Sequence, residues 1–187
     1  ISGRPLHDLD RVFAPWQPLG AGIHGAEVRG RDVDRRHLPD DASMGRVRVA
    51  VNDVVRQIPG CWVEDKGASL AVHHRDAPGA GSTLVELLAP LAAPDSGLVL
   101  LQGVLVVELR PGGHDKGTAV EELMETEPFA GRLPVVVGDD TTDEDAFVAV
   151  ERLGGLTVVV GPRQESAATH RLADPTAVRG WLAELVE

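Results

Sequence analysis

Leu133-Pro134-Val135-Val136-Val137-Gly138-Asp139-Asp140-Thr141-Thr142-Asp143-Glu144-Asp145 is the stretch on which the fold turns. The apolar run Leu133–Val137, stopped by Gly138, has the pattern of a strand buried on both faces. The segment 143–153 then reads as a helix whose first turn is acidic, as its dipole favours. Leu156–Val160 is a second buried strand, closed by Gly161-Pro162. Residues 175–186 form a last helix, with Asp174 as N-cap and Pro175 in its first turn. Strands alternating with helices predict a parallel sheet in an α/β core. Ligands in such sheets sit at the carboxyl ends of the strands, where Gly138-Asp139-Asp140 falls.

Upstream the pattern changes. Residues 61–65 and 68–74 read as short strands joined in a hairpin at Lys66-Gly67. Residues 46–58 and 83–91 look helical, and 103–109 reads as a further strand. Such pairing indicates an antiparallel α+β unit inserted into the core. The expected division is a core of residues 1–37 and 112–187 with a cap of residues 38–111.

The chain has 187 residues, with 18 Lys and Arg against 29 Asp and Glu. That acidic balance argues against nucleic-acid binding, although a local basic cluster can still hold one phosphate. A single cysteine, Cys61, permits no internal disulfide and points to a reducing, cytoplasmic setting. The longest apolar stretch, Gly97 to Val107, is broken by Gln102 and is too short to span a bilayer. No signal peptide is visible, and a monomer is the expected state.

Three motifs carry chemistry. Carboxylates crowded around Gly138–Asp145 are costly unless a cation neutralises them, and Mg²⁺ prefers such oxygen ligands with several waters. An acidic helix start explains Asp143, Glu144 and Asp145, but not Asp139 and Asp140 at the strand end. Arg110-Pro111-Gly112-Gly113-His114-Asp115-Lys116-Gly117 puts a lysine at the start of a helix through Met124, where it can meet an anion. Ile1-Ser2-Gly3-Arg4-Pro5 precedes a helical stretch over 6–13, so Ser2 either binds a phosphate oxygen or merely caps that helix.

In this order the three motifs resemble the haloacid dehalogenase superfamily, and their spelling is closer still to the trehalose-6-phosphate phosphatases. The matching stretches are Ser2-Gly3-Arg4, His24-Gly25-Ala26-Glu27, Val63-Glu64-Asp65-Lys66-Gly67, Glu108-Leu109-Arg110-Pro111 with Lys116-Gly117, and Gly138 through Glu144. The resemblance implies magnesium-dependent hydrolysis of a small sugar phosphate through an aspartyl-phosphate. It assigns Ser2 and Lys116 to the phosphoryl oxygens. Asp139 becomes a magnesium ligand, with Asp140 and Asp143 orienting the ion or its waters. Glu64, Lys66 and Glu108 face the sugar, Arg75 contacts phosphate or sugar, and His24 and Gly25 line the core side of the cleft. The plain alternative for Glu64 and Lys66 is an exposed ion pair worth little. His73 and His74 point to opposite strand faces, and His7, His37 and His170 read as surface residues.

The family's Asp-x-Asp-Gly nucleophile motif has no counterpart. Asp8-Leu9-Asp10 falls in a helix and Asp32-Val33-Asp34 in a charged stretch, so both read as surface residues. Ile23 stands where the family more often has a polar residue, and the chain has no Tyr. It opens at Ile1 without Met, as a fragment does, which places the nucleophile upstream and predicts that the chain alone is inactive and prone to aggregate. Two other readings remain open: a non-catalytic remnant that binds a sugar phosphate or partner protein, and a related phosphatase acting on another sugar phosphate such as sucrose phosphate.

Overall fold

The structure is a computed structural model that describes residues 1–184 apart from Asp32, Val33, His37 and Gln164. The expected helix α1 forms at Leu6–Phe13. The next segment folds into three three-residue strands: β1 (Gly20–Gly22), β2 (Glu27–Arg29) and β3 (Asp34–Arg36). They pair antiparallel in chain order. A tight turn at Ile23–Gly25 separates β1 from β2, with Ile23 and His24 at φ of 46° and 53°. Left-handed geometry is costly for a β-branched residue, so burial of both side chains has to hold this turn in place.

Helix α2 spans Asp41–Val55, starting earlier than its apolar pattern because the Asp40 side chain accepts a hydrogen bond from Ser43 N at 2.8 Å. Strands β4 (Trp62–Asp65) and β5 (Leu70–His73) form the expected hairpin, and α3 covers Gly81–Leu88. The apolar stretch after Gly97 contains a strand of its own, β6 (Leu98–Gly103), which turns at Val104-Leu105 into β7 (Val106–Pro111). The four strands make one antiparallel sheet in the order β4-β5-β7-β6. Leu70, Val72, Leu98, Val107 and Leu109 on one face meet Met44, Val51, Leu84 and Leu88 of α2 and α3 in a closed apolar core.

Helix α4 (Lys116–Met124) opens on a capping box between Asp115 and Thr118. Strand β8 (Val135–Gly138), helix α5 (Asp143–Arg152), strand β9 (Leu156–Val160), strand β10 (His170–Leu172) and helix α6 (Pro175–Glu184) complete the chain. β8 and β10 both pair parallel with β9, as the α/β reading requires. Val120, Ala146, Ala149 and Val150 form a separate small core beneath β8.

Within residues 1–187 the run 133–137 is not covered on both sides: Leu133 is 66% and Val135 48% exposed. Among the described residues β8 pairs with β9 and forms one edge of the three-stranded sheet. Its start is delayed by Pro134, which has no N–H to donate and offers only its carbonyl, to Leu156 N. Among the described residues, no helix is long and apolar enough to cross a membrane.

Leu84 is fully buried between α3 and the antiparallel sheet. Leu84→Ala is expected to lower stability by about 2–5 kcal/mol, read from the urea midpoint of the circular-dichroism transition.

Candidate active site between the acidic turn and the antiparallel sheet

The turn after β8 is organised by one side chain. Asp143 Oδ2 accepts hydrogen bonds from Asp139 N at 3.0 Å and Asp140 N at 2.9 Å, while Oδ1 accepts from Lys116 Nζ at 2.7 Å. Gly138 makes this possible, because a Cβ there would collide with the Asp143 carboxyl group. Burial alone would raise the Asp143 pKa, but Lys116 and the two backbone donors outweigh it and hold the carboxyl below its ordinary range. The negative charge that seemed to demand a metal is therefore partly neutralised from within the protein. Asp139 and Asp140 remain exposed at the end of β8, and Asp140 Oδ1 accepts from Thr141 N.

Glu144 and Asp145 have different surroundings. The Glu144 carboxylate accepts from Ala167 N at 2.7 Å, and Arg163 donates to Thr141 Oγ1 at 2.8 Å. These bonds fasten the loop after β9 to the acidic turn. Arg163 was absent from the sequence reading, since nothing near residue 163 spells a motif. The Asp145 pKa is raised by burial and by Asp115.

The amino-terminal segment packs on the β1–β2 turn. Ser2 is laced to the β1–β2 turn, donating from N to Ala21 O and accepting from His24 N at its carbonyl. Its Oγ accepts from Arg4 N at 3.1 Å. The capping group of α1 is a different residue: buried Glu27 accepts from Leu6 N at 2.6 Å.

Gly25 is buried, with a φ of +106°, and a Cβ there would lie 2.6 Å from Asp115 O. Its observed contacts are with the start of α4, so it brings the β1–β2 turn against the helix that carries Lys116.

Across the cleft stands the antiparallel sheet. Glu108 on β7 is buried and accepts from Lys66 Nζ at 3.1 Å and Ser69 Oγ at 2.9 Å. His24 Nε2 lies 3.5 Å from its other oxygen. Burial opposes the Glu108 charge, but His24 and Lys66 prevail and bring the pKa to about 2. Glu64 hydrogen-bonds His73 at 2.9 Å, so it is not the ion-pair partner of Lys66. Arg75 is exposed in the turn after β5 and lines neither of the cavities flanking the acidic turn. His7 and His170 are exposed as read from the sequence, whereas His37 lies outside the described residues.

Asp139 and Asp140 stand between two cavities. The larger, about 920 Å³, opens between the ends of β8 and β9 and helix α6, and is mostly apolar. The smaller, about 50 Å³, is walled by His24, Leu101, Val106, Glu108, Asp140 and Thr142. The smaller one holds the chemistry, because charged groups from both halves converge on it and it carries orphaned polar atoms. Thr142 Oγ1 and His24 Nδ1 are buried without a hydrogen-bond partner.

A hard cation fits the exposed carboxylate oxygens of Asp139 and Asp140. Among the described residues, however, no three His, Cys, Asp or Glu side chains converge, because Asp143 is turned inward to Lys116. Asp8 pairs with Arg11, and Asp10 makes a two-pronged pair with Arg29, so that Asp-x-Asp serves the fold. Asp32 and Val33 of the second lie outside the described residues.

The Glu108 pKa lies below its ordinary 4.5, so its contribution to stability is full above that pH and is lost as the pH falls toward about 2. Glu108→Gln is expected to cost on the order of 3 kcal/mol at neutral pH and to flatten the acid limb of the stability curve. Urea titrations of both proteins from pH 7 to 2 check this.

Known proteins resemble this chain in sequence and in fold. The sequence model of the trehalose-phosphatase family matches residues 1–176. The chain is 40% identical over 186 residues to the trehalose-6-phosphate phosphatase of Escherichia coli K12, covering 97% of this chain and 68% of that protein. It is 36% identical to a probable trehalose-phosphate phosphatase of Sinorhizobium fredii, covering 99% of this chain and 71% of the relative. In fold it resembles the C-terminal domain of Candida albicans trehalose-6-phosphate phosphatase, with a TM-score of 0.79 at 22% identity, over all of this chain and 78% of that one. It also resembles a trehalose-6-phosphate phosphatase related protein, with a TM-score of 0.74 at 26% identity, over 99% of this chain and 79% of that one. The chain belongs to the trehalose-phosphatase family.

Proposed function

We propose that this chain forms the phosphate- and sugar-binding part of a magnesium-dependent phosphatase that converts trehalose 6-phosphate to trehalose and phosphate. The observation that carries the reading is the small cleft in which His24 and Glu108 meet Asp140 and Thr142 of the acidic turn, with Lys66 bound to Glu108 and Lys116 bound to Asp143 of that turn. An anion-binding end and a hydroxyl-binding end on opposite walls suit a sugar phosphate.

In this reading Lys116 Nζ and the Ser2 hydroxyl bind phosphoryl oxygens. Asp139 holds Mg²⁺, Asp140 helps orient its waters, and Asp143 positions both residues through their backbone N–H groups. Bound there, Mg²⁺ offsets negative charge on the transferring group. Glu108, Lys66 and Glu64 hydrogen-bond sugar hydroxyls. Residues 1–37 and 112–187 act as the core and residues 38–111 as the cap, which has to move outward, because a cleft of about 50 Å³ is too small for a disaccharide.

The attacking carboxylate belongs to an aspartate upstream of Ile1. Its oxygen bonds to phosphorus as the bond to the sugar oxygen breaks, and a second aspartate protonates the leaving oxygen. The same residue then takes a proton from the water that releases phosphate. A cytoplasmic setting and a monomeric state are part of the same proposal.

Phosphate release is the direct test. Residues 1–187 alone are expected to release none from trehalose 6-phosphate with Mg²⁺, whereas a protein that also carries an upstream Asp-x-Asp-Gly segment is expected to be active. In that protein trehalose 6-phosphate should be preferred over sucrose 6-phosphate, and Lys116→Met should lower kcat by about 100-fold or more. Activity of residues 1–187 alone, or a preference for sucrose 6-phosphate, would contradict the reading.

A further inference from the structure

The antiparallel sheet has two faces of different character. Val63, Leu70, Val72, Val107 and Leu109 point into the closed core, so the alternate residues point the other way. Two cross-strand rows run along that second face. One runs from Leu101 through Glu108 and Ala71 to Glu64. The other runs from Gly103 through Val106 and His73 to Trp62. The inner members of both rows wall the small cleft beside Asp140. The outer members lie on β4 and β5, up to two strand spacings away from β7, roughly 10 Å.

At the end of the second row stands an exposed aromatic surface. Trp62 is 50% exposed, and its ring stacks on His73 with centroids 4.1 Å apart at 16°. His73 is fixed in turn by Glu64 at 2.9 Å. The indole is thus held flat before any ligand arrives, which lowers the entropy cost of stacking against it. A pyranose ring has an apolar C–H face and a rim of hydroxyls. Trp62 matches the face, while Glu64 and the His73 ring match the rim.

The geometry points to Trp62 and His73 as the stacking platform for the second, non-phosphorylated ring of a disaccharide phosphate, and hence as determinants of disaccharide over monosaccharide binding. This rests on the sugar-phosphate reading above, with the phosphoryl group at Lys116 and the first ring beside Glu108. A monosaccharide phosphate has no second ring to lay on this platform.

Calorimetric titration of the protein that also carries the upstream Asp-x-Asp-Gly segment, without Mg²⁺ so that no turnover occurs, with trehalose 6-phosphate and with glucose 6-phosphate separates the two claims. Trp62→Ala is expected to weaken trehalose 6-phosphate about tenfold. Glucose 6-phosphate should change by less than about twofold, and Trp62→Phe should recover most of the loss. Unchanged trehalose 6-phosphate binding in Trp62→Ala would overturn the platform and leave the sugar-phosphate reading standing. Equal weakening of both ligands would overturn it too, because the side chain would then support the fold in general. Failure of that unaltered protein to bind either ligand would remove the sugar-phosphate reading, and the platform with it.

Discussion

The ion pair between Lys116 and Asp143 is the contact on which the rest of the site depends. It joins the first residue of α4 to the first residue of α5, two helices that reach the cleft from different parts of the chain. Because the other Asp143 oxygen holds the backbone of Asp139 and Asp140, the same carboxylate shapes the turn after β8. A buried carboxylate with three donors is expensive to disturb, since removing any one of them leaves its charge under-satisfied. Gly138 and Gly25 serve this arrangement: one leaves space for Asp143, the other lets the β1–β2 turn close on α4.

A second constraint links the two halves of the molecule. His24 reaches Glu108 from a turn held in left-handed geometry, while Lys66 and Ser69 reach it within the antiparallel sheet. Glu108, which the proposed function turns toward the sugar, is therefore also a point where the β1–β2 turn touches the antiparallel sheet. A ligand hydroxyl that replaces His24 at this carboxylate would loosen that contact as it binds. Opening of the cap and entry of the sugar would then be coupled through one residue.

Much of this was legible in the sequence because it is written in periodicity and spelling. The parallel strands, the β4–β5 hairpin and helices α1 and α4 follow from apolar runs and turn residues. The motifs Lys116-Gly117 and Gly138–Glu144 converge where their order implied. What escaped was of two kinds. Strands of three residues, such as β1 to β3 and β10, are too short to show alternation, and β6 was hidden in an apolar stretch too uniform to reveal its turn. Partners set by tertiary approach also left no local trace. The pairing of Lys66 with Glu108 spans 42 positions, and the inward turn of Asp143 depends on a lysine 27 positions earlier. Leu133 and Val135 are exposed in residues 1–187, since a continuous apolar run does not say which strand fills the neighbouring position in a sheet.

The central claim is that one ligand spans the cleft, phosphate at Lys116 and sugar at Glu108. It is tested most directly by nuclear magnetic resonance of the protein that also carries the upstream segment, titrated with trehalose 6-phosphate without Mg²⁺ so that no turnover occurs. The account predicts that signals of Lys116 and Asp139 and those of Lys66 and Glu108 move together along one saturation curve. Movement at one wall alone, or two curves with different midpoints, would contradict it.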